Sequence, residues 1–485
     1  MLRFTGAATS SSSGALNETS RPTELLVLLE REHRGTLGAQ IEDQLRGAIR
    51  SGALREASPV PSTRDLARQL GVSRRVVVDA YAQLAAEGYL VVRQGARPRV
   101  AAVTEAGASA PVVPTPATPG PRYDFRPSMP DVSAFPRRAW LRCVRDALAG
   151  MSDADLGYGD MRGVEDLRRA LAGQLGRVRG VITEPERLVI TSGFSQAVDL
   201  VFRALRERGA RRVAFEDPGY DEPRAIAARA GLEAVAVPVD EHGLQVDALA
   251  RTDADAVVLT PAHQHPTGVA LSGERRTALL AWLRGGRRLA IEDDYDADYR
   301  YDRAAVGALQ GLDPERVAYA GSASKTLAPA LRLGWVALPA DLLDDVVAGK
   351  ALADRGTDRI TQFAFARLLE RGDLDRHRRR MLATYRERRD AIVAALAEEL
   401  PDCPVRGIAA GLHASVELRP DDDEAAILAE LERRRVALAT TAHHRMTAAA
   451  GPPVLLVGYG QVALPAIRPG VRAIGEAVRA ARART

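Results

Sequence analysis

The sequence predicts two folded domains of different class, a small α+β domain followed by a large α/β domain. Residues 62–87 hold two short helical patterns on either side of a glycine, and residues 101–121 are rich in Ala and Pro. Beyond Tyr123, helical patterns alternate with short apolar runs, which is typical of α/β architecture. At 485 residues the chain is long enough for each domain to have its own core.

The composition favours a cytoplasmic protein with no membrane part. Residues 1–30 are predicted to form a disordered tail, because their start is rich in Ser, Gly and Thr and lacks the apolar stretch of a secretion signal. No apolar run approaches the ~18 residues of a membrane span. Cys143 and Cys403 are too few for a disulfide framework, so a reducing compartment fits.

A helix-turn-helix pattern lies within the N-terminal module, residues 31–100. A short helix is expected at Arg64–Leu70 and a longer one at Arg74–Glu87. Gly71 breaks the chain between them, and Ser73 can cap the second helix with its hydroxyl. Two short helices around a glycine turn are typical of DNA-binding helix-turn-helix proteins.

The second helix of this pattern places Arg74 and Arg75 in its first turn, and residues 88–92 are predicted to be a strand that leads to a wing. In helix-turn-helix proteins that first turn faces base edges and phosphates in the major groove. Arg31–Val100 holds twelve arginines against seven acidic residues, which favours nucleic acid. An amphipathic hairpin that binds no DNA stays open as the alternative.

The linker between the domains is predicted at residues 101–121, AAVTEAGASAPVVPTPATPGP. It shows neither a helical nor a strand period. Its prolines predict an extended, partly stiff tether that reaches about 3.1 Å per residue. The large domain is therefore expected to span residues 122–485.

Short runs rich in Val, Ala and Leu predict the strands of the large domain. These runs are Arg187–Thr191, Arg212–Glu216, Ala234–Val237, Ala256–Thr260, Arg288–Glu292 and Val317–Ala320. Buried runs separated by helices indicate a mainly parallel sheet with helices on both faces. Ligands of such folds bind at the carboxyl ends of the strands.

Polar motifs follow three of these strands. Thr191–Gln196 ends a strand and opens a helix, so its backbone N–H groups can hold a phosphate; a simple turn is the alternative. Glu216–Tyr220 follows the next strand. Ile291–Tyr295 places carboxylates after an apolar run, and a buried carboxylate needs a cationic partner.

Lysine occurs in this chain only at Lys325 and Lys350. An arginine can replace a surface lysine but cannot form a Schiff base, because guanidinium stays protonated. Lys350, near a predicted helix end, is interpreted as an ordinary surface lysine. Around Lys325, hydroxyls at Ser322 and Ser324 and the cation of Arg332 suit a phosphorylated carbonyl cofactor, pyridoxal phosphate.

Two stretches carry a family resemblance. Residues 319–335, YAGSASKTLAPALRLGW, resemble the lysine motif of fold-type I aminotransferases in the form used by the MocR branch of the GntR regulators. Residues 61–90 resemble the GntR winged helix, in which the matching Arg64, Ser73 and Arg74 contact DNA. The resemblance implies a winged helix-turn-helix domain fused to a fold-type I aminotransferase-like domain that binds pyridoxal phosphate.

The aminotransferase resemblance assigns roles around the cofactor ring. It implies that Lys325 forms the Schiff base with pyridoxal phosphate and that Asp293 pairs with the pyridinium nitrogen. It also implies that Tyr295 reaches the phenolic oxygen and that Tyr220 stacks on the ring. These assignments follow from matching motifs, residue by residue.

The same resemblance assigns the phosphate site. The backbone amides of Phe194 and Ser195, with Ser322 and Arg332, are expected to hold the phosphate. Tyr158, in YGDMRGVEDLR, matches the tyrosine that reaches a phosphate across a dimer interface. We therefore expect a homodimer, and the linker is long enough for a domain-swapped arrangement of the DNA-binding domains.

The chain departs from the aminotransferase pattern at two points. His265 stands in HPTG where these enzymes have Asn, and the only asparagine of the chain is Asn17. His265 is the expected cofactor contact there and favours a regulator over an efficient transaminase. The arginine that would bind an effector carboxylate is not evident, and Arg445 is the candidate.

These residues are compatible with three functions. The first is a pyridoxal-phosphate-dependent transcriptional regulator that binds operator DNA and senses a small amine or amino acid. The second is an active aminotransferase with a fused DNA-binding domain. The third, a cofactor-free scaffold that binds only DNA, is disfavoured because it needs neither Lys325 nor Asp293.

Overall fold

The structure of the protein is a computed structural model. It describes residues 27–30, 36–93, 96–102, 120–296, 298–302, 306–447 and 451–484. The chain divides into two compact units, residues 1–118 and 119–485. Most of the tail predicted at residues 1–30 and of the linker predicted at residues 101–121 lies outside the described residues.

The N-terminal unit is a three-helix domain with a short antiparallel pair of strands. Its elements are α1 (Leu37–Arg50), α2 (Thr63–Leu70), α3 (Arg74–Ala86), β1 (Leu90–Val91) and β2 (Arg99–Val100). Gly71 ends α2 in the left-handed conformation at φ 63°, which favours glycine. The β1–β2 pair gives the wing that follows the helix-turn-helix, so the predicted winged helix-turn-helix is confirmed.

The core of this unit follows from the helical period of the sequence. α1 buries Ile41, Leu45 and Ile49 on one face, because residues three or four apart share a face of a helix. α3 buries Tyr81 in the same core, and its hydroxyl donates to the Pro61 carbonyl at 3.0 Å. The packing leaves the polar start of α3 at the surface.

The large unit is built on a sheet in which each of the predicted runs overlaps a strand, with Arg187, Thr260 and Arg288 just outside the strand bounds. Its strands are β4 (Leu188–Thr191), β5 (Arg212–Asp217), β6 (Glu233–Asp240), β7 (Gly243–Leu244), β8 (Ala256–Leu259), β9 (Leu289–Asp294), β10 (Val317–Ser322) and β11 (Gly334–Ala337). In the described part of the chain their order is β4-β11-β10-β9-β8-β5-β6-β7. The pairs from β10 to β6 are parallel, while β11 is antiparallel to both neighbours, so the mainly parallel sheet is confirmed.

Helices cover both faces of this sheet. They are α4 (Arg137–Gly150), α5 (Glu165–Arg179), α6 (Phe194–Glu207), α7 (Glu222–Arg229), α8 (Val246–Ala250), α9 (Gly273–Arg284), α10 (Leu343–Ala353) and α11 (Arg359–Glu370). Val213 and Phe215 of β5 pack in a core with α6, α7 and α10. Ala214 between them packs in a core with α8 and α9, because successive strand residues point to opposite faces.

A second, antiparallel sheet lies toward the end of the chain. Its strands are β12 (Val405–Arg406), β13 (His413–Glu417), β15 (Ala439–Thr440) and β16 (Val454–Gly458), and a separate short pair joins β3 (Tyr123–Asp124) to β14 (Val436–Ala437). The helices α12 (Asp373–Glu399), α13 (Glu424–Arg433) and α14 (Leu464–Arg482) share one core with this sheet. Among the described helices, none has the length and apolarity that a membrane crossing requires.

Candidate functional site

A cavity of about 450 Å³ opens at the carboxyl ends of the central strands of the large unit. It brings together most of the site residues predicted from the sequence. These are Phe194, Ser195, Tyr220, His265, Asp293, Tyr295, Ser322, Lys325 and Arg332. The parallel strands place these side chains in one site although they are far apart in the sequence.

Lys325 lies in the segment that follows β10, and its side chain is half-buried. Burial lowers the pKa of its amine, while the carboxylate of Asp293 acts in the opposite direction. A lowered pKa leaves more of the amine unprotonated near neutral pH, and only the unprotonated amine is a nucleophile. The site therefore contains an amine suited to attack a carbonyl carbon.

Asp293 lies at the carboxyl end of β9, next to Ala320 of β10, with 7% of its surface exposed. Burial, and next the charge of Asp294, raise the pKa of Asp293 well above its usual value. The side chain of Asp294 is compensated by the Arg179 guanidinium at 2.6 Å and by the Tyr319 hydroxyl at 2.6 Å. Asp293 instead lines the cavity, where a cationic ligand group would stabilise its charge.

An anion site is formed where α6 begins. Gly193 is the residue before α6, with φ 129°, and a Cβ at this position would lie 3.4 Å from Nη2 of Arg332. The guanidinium therefore lies against the start of the helix, where unpaired backbone N–H groups already favour negative charge. Ser322 adds a hydroxyl to the same cavity, so this end fits a phosphate.

The aromatic ring of Tyr220 lies between two other rings of the cavity. Its centroid is 6.5 Å from that of Phe194 and 6.1 Å from that of His265. The Tyr220 hydroxyl donates to the carboxylate of Glu222, and the Ser195 hydroxyl donates to the same carboxylate at 2.7 Å. Sequence reasoning missed Glu222, although it follows the Tyr220 motif by two residues.

Tyr295 is held by groups that the sequence analysis did not select. Its hydroxyl lies 3.0 Å from Nδ1 of His263, and that nitrogen is also 3.0 Å from Oδ2 of Asp296. Both His263 and Asp296 are buried. The pair fixes the position of the tyrosine hydroxyl at the edge of the cavity. The motif AHQHP, in which His263 precedes His265 by two residues, is the sequence feature from which His263 could have been predicted.

His265 belongs to a cluster of buried imidazoles. Its ring centroid is 5.5 Å from that of His413 and 4.7 Å from that of His444. Burial, followed by the charges of these neighbours, places the pKa of His265 well below its usual value, so it is neutral at pH 7. Among the described residues, its Nδ1 has no hydrogen-bond partner, so it is available to a ligand in the cavity.

The groups in this cavity fit pyridoxal phosphate. Arg332 and the start of α6 match its phosphate, Asp293 matches the pyridinium nitrogen, and the Lys325 amine matches the carbonyl carbon. Glu222 also lines the cavity, but its oxygens accept from Ser195 and Tyr220. The backbone N–H groups of α6, rather than the Ser195 hydroxyl, are therefore left to bind the phosphate.

Two predicted residues lie outside this cavity. Tyr158 is 68% exposed, and its ring centroid is 4.8 Å from the Arg355 guanidinium, in a separate cavity of about 220 Å³. Arg445 is half-buried and is not among the residues that line the larger cavity, whereas His444 is. Arg445 therefore stays an untested candidate for an effector carboxylate.

The interpretation of Lys350 as a surface lysine is wrong. Its side chain is 0% exposed, and its ammonium donates to Asp354, Thr357 and Gln196. The sequence could not show this, because the apolar stem of a lysine permits either environment in a helix.

The exposed surface of the helix-turn-helix carries the residues predicted to contact DNA. Arg64, Ser73, Arg74 and Arg75 are all exposed. Nε of Arg74 donates to the Thr63 hydroxyl at 3.4 Å. Ser73 occupies the cap position of α3 but makes no capping hydrogen bond with its side chain. The first turn of α3 thus presents two guanidinium groups and a hydroxyl, which suits phosphates and base edges.

Comparison with known proteins gives the same two parts. Residues 132–456 match the class I and II aminotransferases, and residues 37–100 match the gntR family of bacterial regulatory proteins. The chain is 32% identical over 402 residues to the HTH-type pyridoxine biosynthesis transcriptional regulator PdxR of Corynebacterium glutamicum, covering 81% of this chain and 85% of that protein. It is 33% identical over 398 residues to the probable rhizopine catabolism regulatory protein MocR of Rhizobium meliloti, covering 78% of this chain and 80% of that protein.

Solved structures agree on the fold of the large unit. An archaeal alanine:glyoxylate aminotransferase superposes with a TM-score of 0.68 at 26% identity, over 74% of this chain and 91% of that chain. A multiple substrate aminotransferase from Thermococcus profundus superposes with a TM-score of 0.69 at 25% identity, over 76% of this chain and 94% of that chain. The chain belongs to the MocR branch of the GntR regulators, in which a winged helix-turn-helix domain precedes a domain of the class I and II aminotransferase family.

Proposed function

We propose that this protein is a transcriptional regulator that binds operator DNA through its winged helix and senses a small amine or amino acid through a pyridoxal phosphate site. The observation that carries this proposal is one cavity containing Lys325, Asp293 and Arg332 in a chain that also has a helix-turn-helix. A DNA-binding scaffold would need no such cavity. We place its action in the cytoplasm, where operator DNA is accessible in bacteria.

Each residue of the cavity has a distinct task in this proposal. Arg332 and the N-terminus of α6 bind the phosphate and set the orientation of the ring. The Asp293 carboxylate accepts a hydrogen bond from the ring nitrogen and keeps that nitrogen protonated. When bound, pyridoxal phosphate supplies a carbonyl carbon that links covalently to amines. The amine of Lys325 is the group that makes this link in the absence of effector.

Lys325 would hold the cofactor through its amine, and the cofactor would supply a carbon at which an effector amine could take that place. Burial lowers the pKa of the Lys325 amine, so more of the released amine would be unprotonated and able to link again. The effector can change DNA binding only if it favours one arrangement of the protein over another. Binding of effector and of DNA must then influence each other by the same factor.

DNA binding is assigned to the first turn of α3 and to Arg64 of α2. Because Arg64, Arg74 and Arg75 are exposed, their guanidinium groups can reach phosphates without a change in the core of the unit. Neutralising phosphates releases counterions, so affinity should fall steeply as the salt concentration rises. This electrostatic part of the affinity does not depend on the cofactor.

The large unit is proposed to form a homodimer. Leu156, Tyr158 and Leu352 are 64%, 68% and 90% exposed. Leu156 and Tyr158 lie together in one cavity, and contiguous exposed apolar surface marks sites that bind other proteins. A second copy of the chain is the partner that the Tyr158 motif implies. A partner's tyrosine would then complete the phosphate site. The domain-swapped arrangement of the DNA-binding units stays a prediction.

The second candidate function is an active aminotransferase with a fused DNA-binding domain. It is favoured by the simultaneous presence of Lys325, Asp293 and Tyr220 in one cavity. His265 argues against efficient turnover, because a neutral imidazole replaces the asparagine that aminotransferases have at this point. We therefore propose that transamination is weak.

A titration with operator DNA tests the proposal. The cofactor-loaded protein is titrated with amines and amino acids, with and without its upstream DNA, and the absorbance of pyridoxal phosphate is followed. The proposal expects one ligand class to bind with different affinity in the two titrations, and the same ligand to change DNA affinity by the same factor. Equal affinities in both titrations together with full conversion of amine to ketone would identify an enzyme instead of a sensor. Lys325→Ala serves as the control that cannot link to the cofactor.

A further inference from the structure

The ammonium of Lys350 is buried and has a matched set of acceptors. It lies on α10 with 0% of its surface exposed. Nζ donates to Oδ2 of Asp354 at 2.8 Å, to Oγ1 of Thr357 at 2.9 Å and to Oε1 of Gln196 at 3.4 Å. An ammonium has three N–H donors in a tetrahedral arrangement, so each donor has one acceptor. The planar fork of an arginine cannot reproduce this geometry.

One branch of this arrangement reaches the phosphate-binding loop, residues 192–196. Oε1 of Gln196 accepts from the backbone N–H of Ser192 at 2.8 Å, and Nε2 of Gln196 donates to Oδ2 of Asp354 at 2.7 Å. Both ends of the Gln196 amide are therefore fixed. Because Lys350 and Asp354 set the orientation of this amide, they also set the position of Ser192, just before the start of α6.

The other branch holds the neighbouring strand and the segment near Tyr158. The Thr357 hydroxyl donates to the carbonyl of Ile190 in β4 at 3.3 Å. Nε2 of Gln362 donates to the Thr357 carbonyl at 2.9 Å, and Oε1 of Gln362 accepts from the Val164 N–H at 2.7 Å. The ammonium thus connects the end of β4, the start of α6 and the residues before α11.

We propose that Lys350 is a positioning residue that holds the phosphate-binding loop in place from behind. The inference rests on the proposed function, because it requires that the cavity binds pyridoxal phosphate. Lys350, Asp354 and Thr357 do not line the cavity, so any effect on the ligand must pass through Gln196 and the loop. Loss of the ammonium leaves Asp354 without its counterion and removes the contact from Nζ to Oε1 of Gln196. The Gln196 amide and the N–H groups at the start of α6 are then held less firmly in their direction toward the phosphate.

The test compares pyridoxal 5′-phosphate with pyridoxal, which lacks the phosphate. Affinities of the full chain for both compounds are measured by absorbance titration for the wild type, Lys350→Met, Lys350→Arg and Gln196→Met. We expect Lys350→Met to weaken pyridoxal 5′-phosphate binding by about tenfold or more, which corresponds to about 1.4 kcal/mol or more. Pyridoxal affinity should stay within about twofold of the wild type, because the ring and carbonyl contacts do not use the loop.

Three comparisons make the result decisive. Gln196→Met removes the same link and should reproduce the phosphate-selective loss even if Lys350→Met does not fold. Lys350→Arg should not restore the affinity, because its fork cannot meet the same acceptors. Arg276→Met removes another buried cation, one that donates to Leu271 and Gly307 carbonyls away from the loop, and should leave the selectivity unchanged.

The bound phosphate also reports directly on the loop. The ³¹P resonance of bound pyridoxal phosphate should shift in Lys350→Met and Gln196→Met but not in Arg276→Met. Equal losses for both compounds, or no loss in either variant, would overturn the role of Lys350. A wild-type protein that fails to prefer pyridoxal 5′-phosphate over pyridoxal would overturn the proposed function itself, which is a separate result.

Discussion

Substituting Glu216 by glutamine should make the stability of the large unit less sensitive to pH. Glu216 lies in β5 with 5% of its surface exposed, and its Oε2 accepts from the Thr260 N–H at 3.0 Å and the Thr260 hydroxyl at 2.8 Å. Burial raises its pKa from 4.5 to about 7, against the hydrogen bonds of Thr260. A glutamine retains an oxygen for both Thr260 donors and has no proton to lose.

The sign follows from the two protonation states. Below pH 4.5 the carboxyl is protonated in the folded and unfolded chain, so it contributes no pH dependence. Between pH 4.5 and pH 7 the unfolded chain loses the proton first, so the free energy of unfolding falls as pH rises. A pKa difference of 1 between the folded and unfolded chain corresponds to about 1.4 kcal/mol in the free energy of unfolding. The change from 4.5 to about 7 therefore amounts to about 3 kcal/mol. As the pH rises from 4.5 to about 7, the free energy of unfolding of Glu216→Gln should therefore increase by this amount relative to that of the wild type.

The assay is urea denaturation of the cofactor-free chain, followed by tryptophan fluorescence at several pH values. Trp140, Trp282 and Trp335 all lie in the large unit, so the signal reports on that unit alone. Other carboxyl groups titrate equally in both proteins and cancel in the difference. A difference between Glu216→Gln and wild type that does not change with pH would refute the reasoning.

Glu292→Gln is the matched control. Burial raises the pKa of Glu292 to about 7 as well, but its two oxygens accept separate backbone N–H groups, those of Leu309 and Gln310, each at 2.9 Å. A glutamine must place its NH₂ against one of them. We therefore expect Glu292→Gln to lose about 1–3 kcal/mol at pH 4.5, where Glu216→Gln resembles the wild type.

Four further substitutions test other parts of the molecule. Lys325→Ala should stay folded by circular dichroism yet gain no cofactor mass after borohydride treatment; covalent label on another residue would contradict the assignment. Arg64→Ala and Arg74→Ala should weaken operator binding in gel-shift assays and each lower the salt slope by about one, with cofactor affinity unchanged. Unaltered slopes in both would remove the winged helix from the mechanism. Arg179→Met should cost about 3–5 kcal/mol in urea denaturation, because it leaves the Asp294 charge buried and unpaired; a stable variant would show that this charge is compensated elsewhere.

The sequence by itself determined the fold class of both units, although it did not predict the second, antiparallel sheet of the large unit. Short helical patterns around a glycine predicted the helix-turn-helix. Continuous apolar runs predicted the six strands, because the strands of a parallel sheet are buried on both faces. Lys325 could also be recognised from sequence, since a lysine retained among so many arginines signals chemistry that a guanidinium cannot perform. Motif resemblance then supplied Asp293 and Arg332, which the structure brings into one cavity.

The tertiary structure alone decided which polar side chains meet and which are buried. His444 comes from a distant segment and reaches the cavity only because that segment packs beside it. Lys350 was predicted to be an ordinary surface lysine, yet it is 0% exposed. Local pattern cannot predict this, because a long cationic side chain suits either solvent or a buried carboxylate, and the choice depends on what another part of the chain places opposite it.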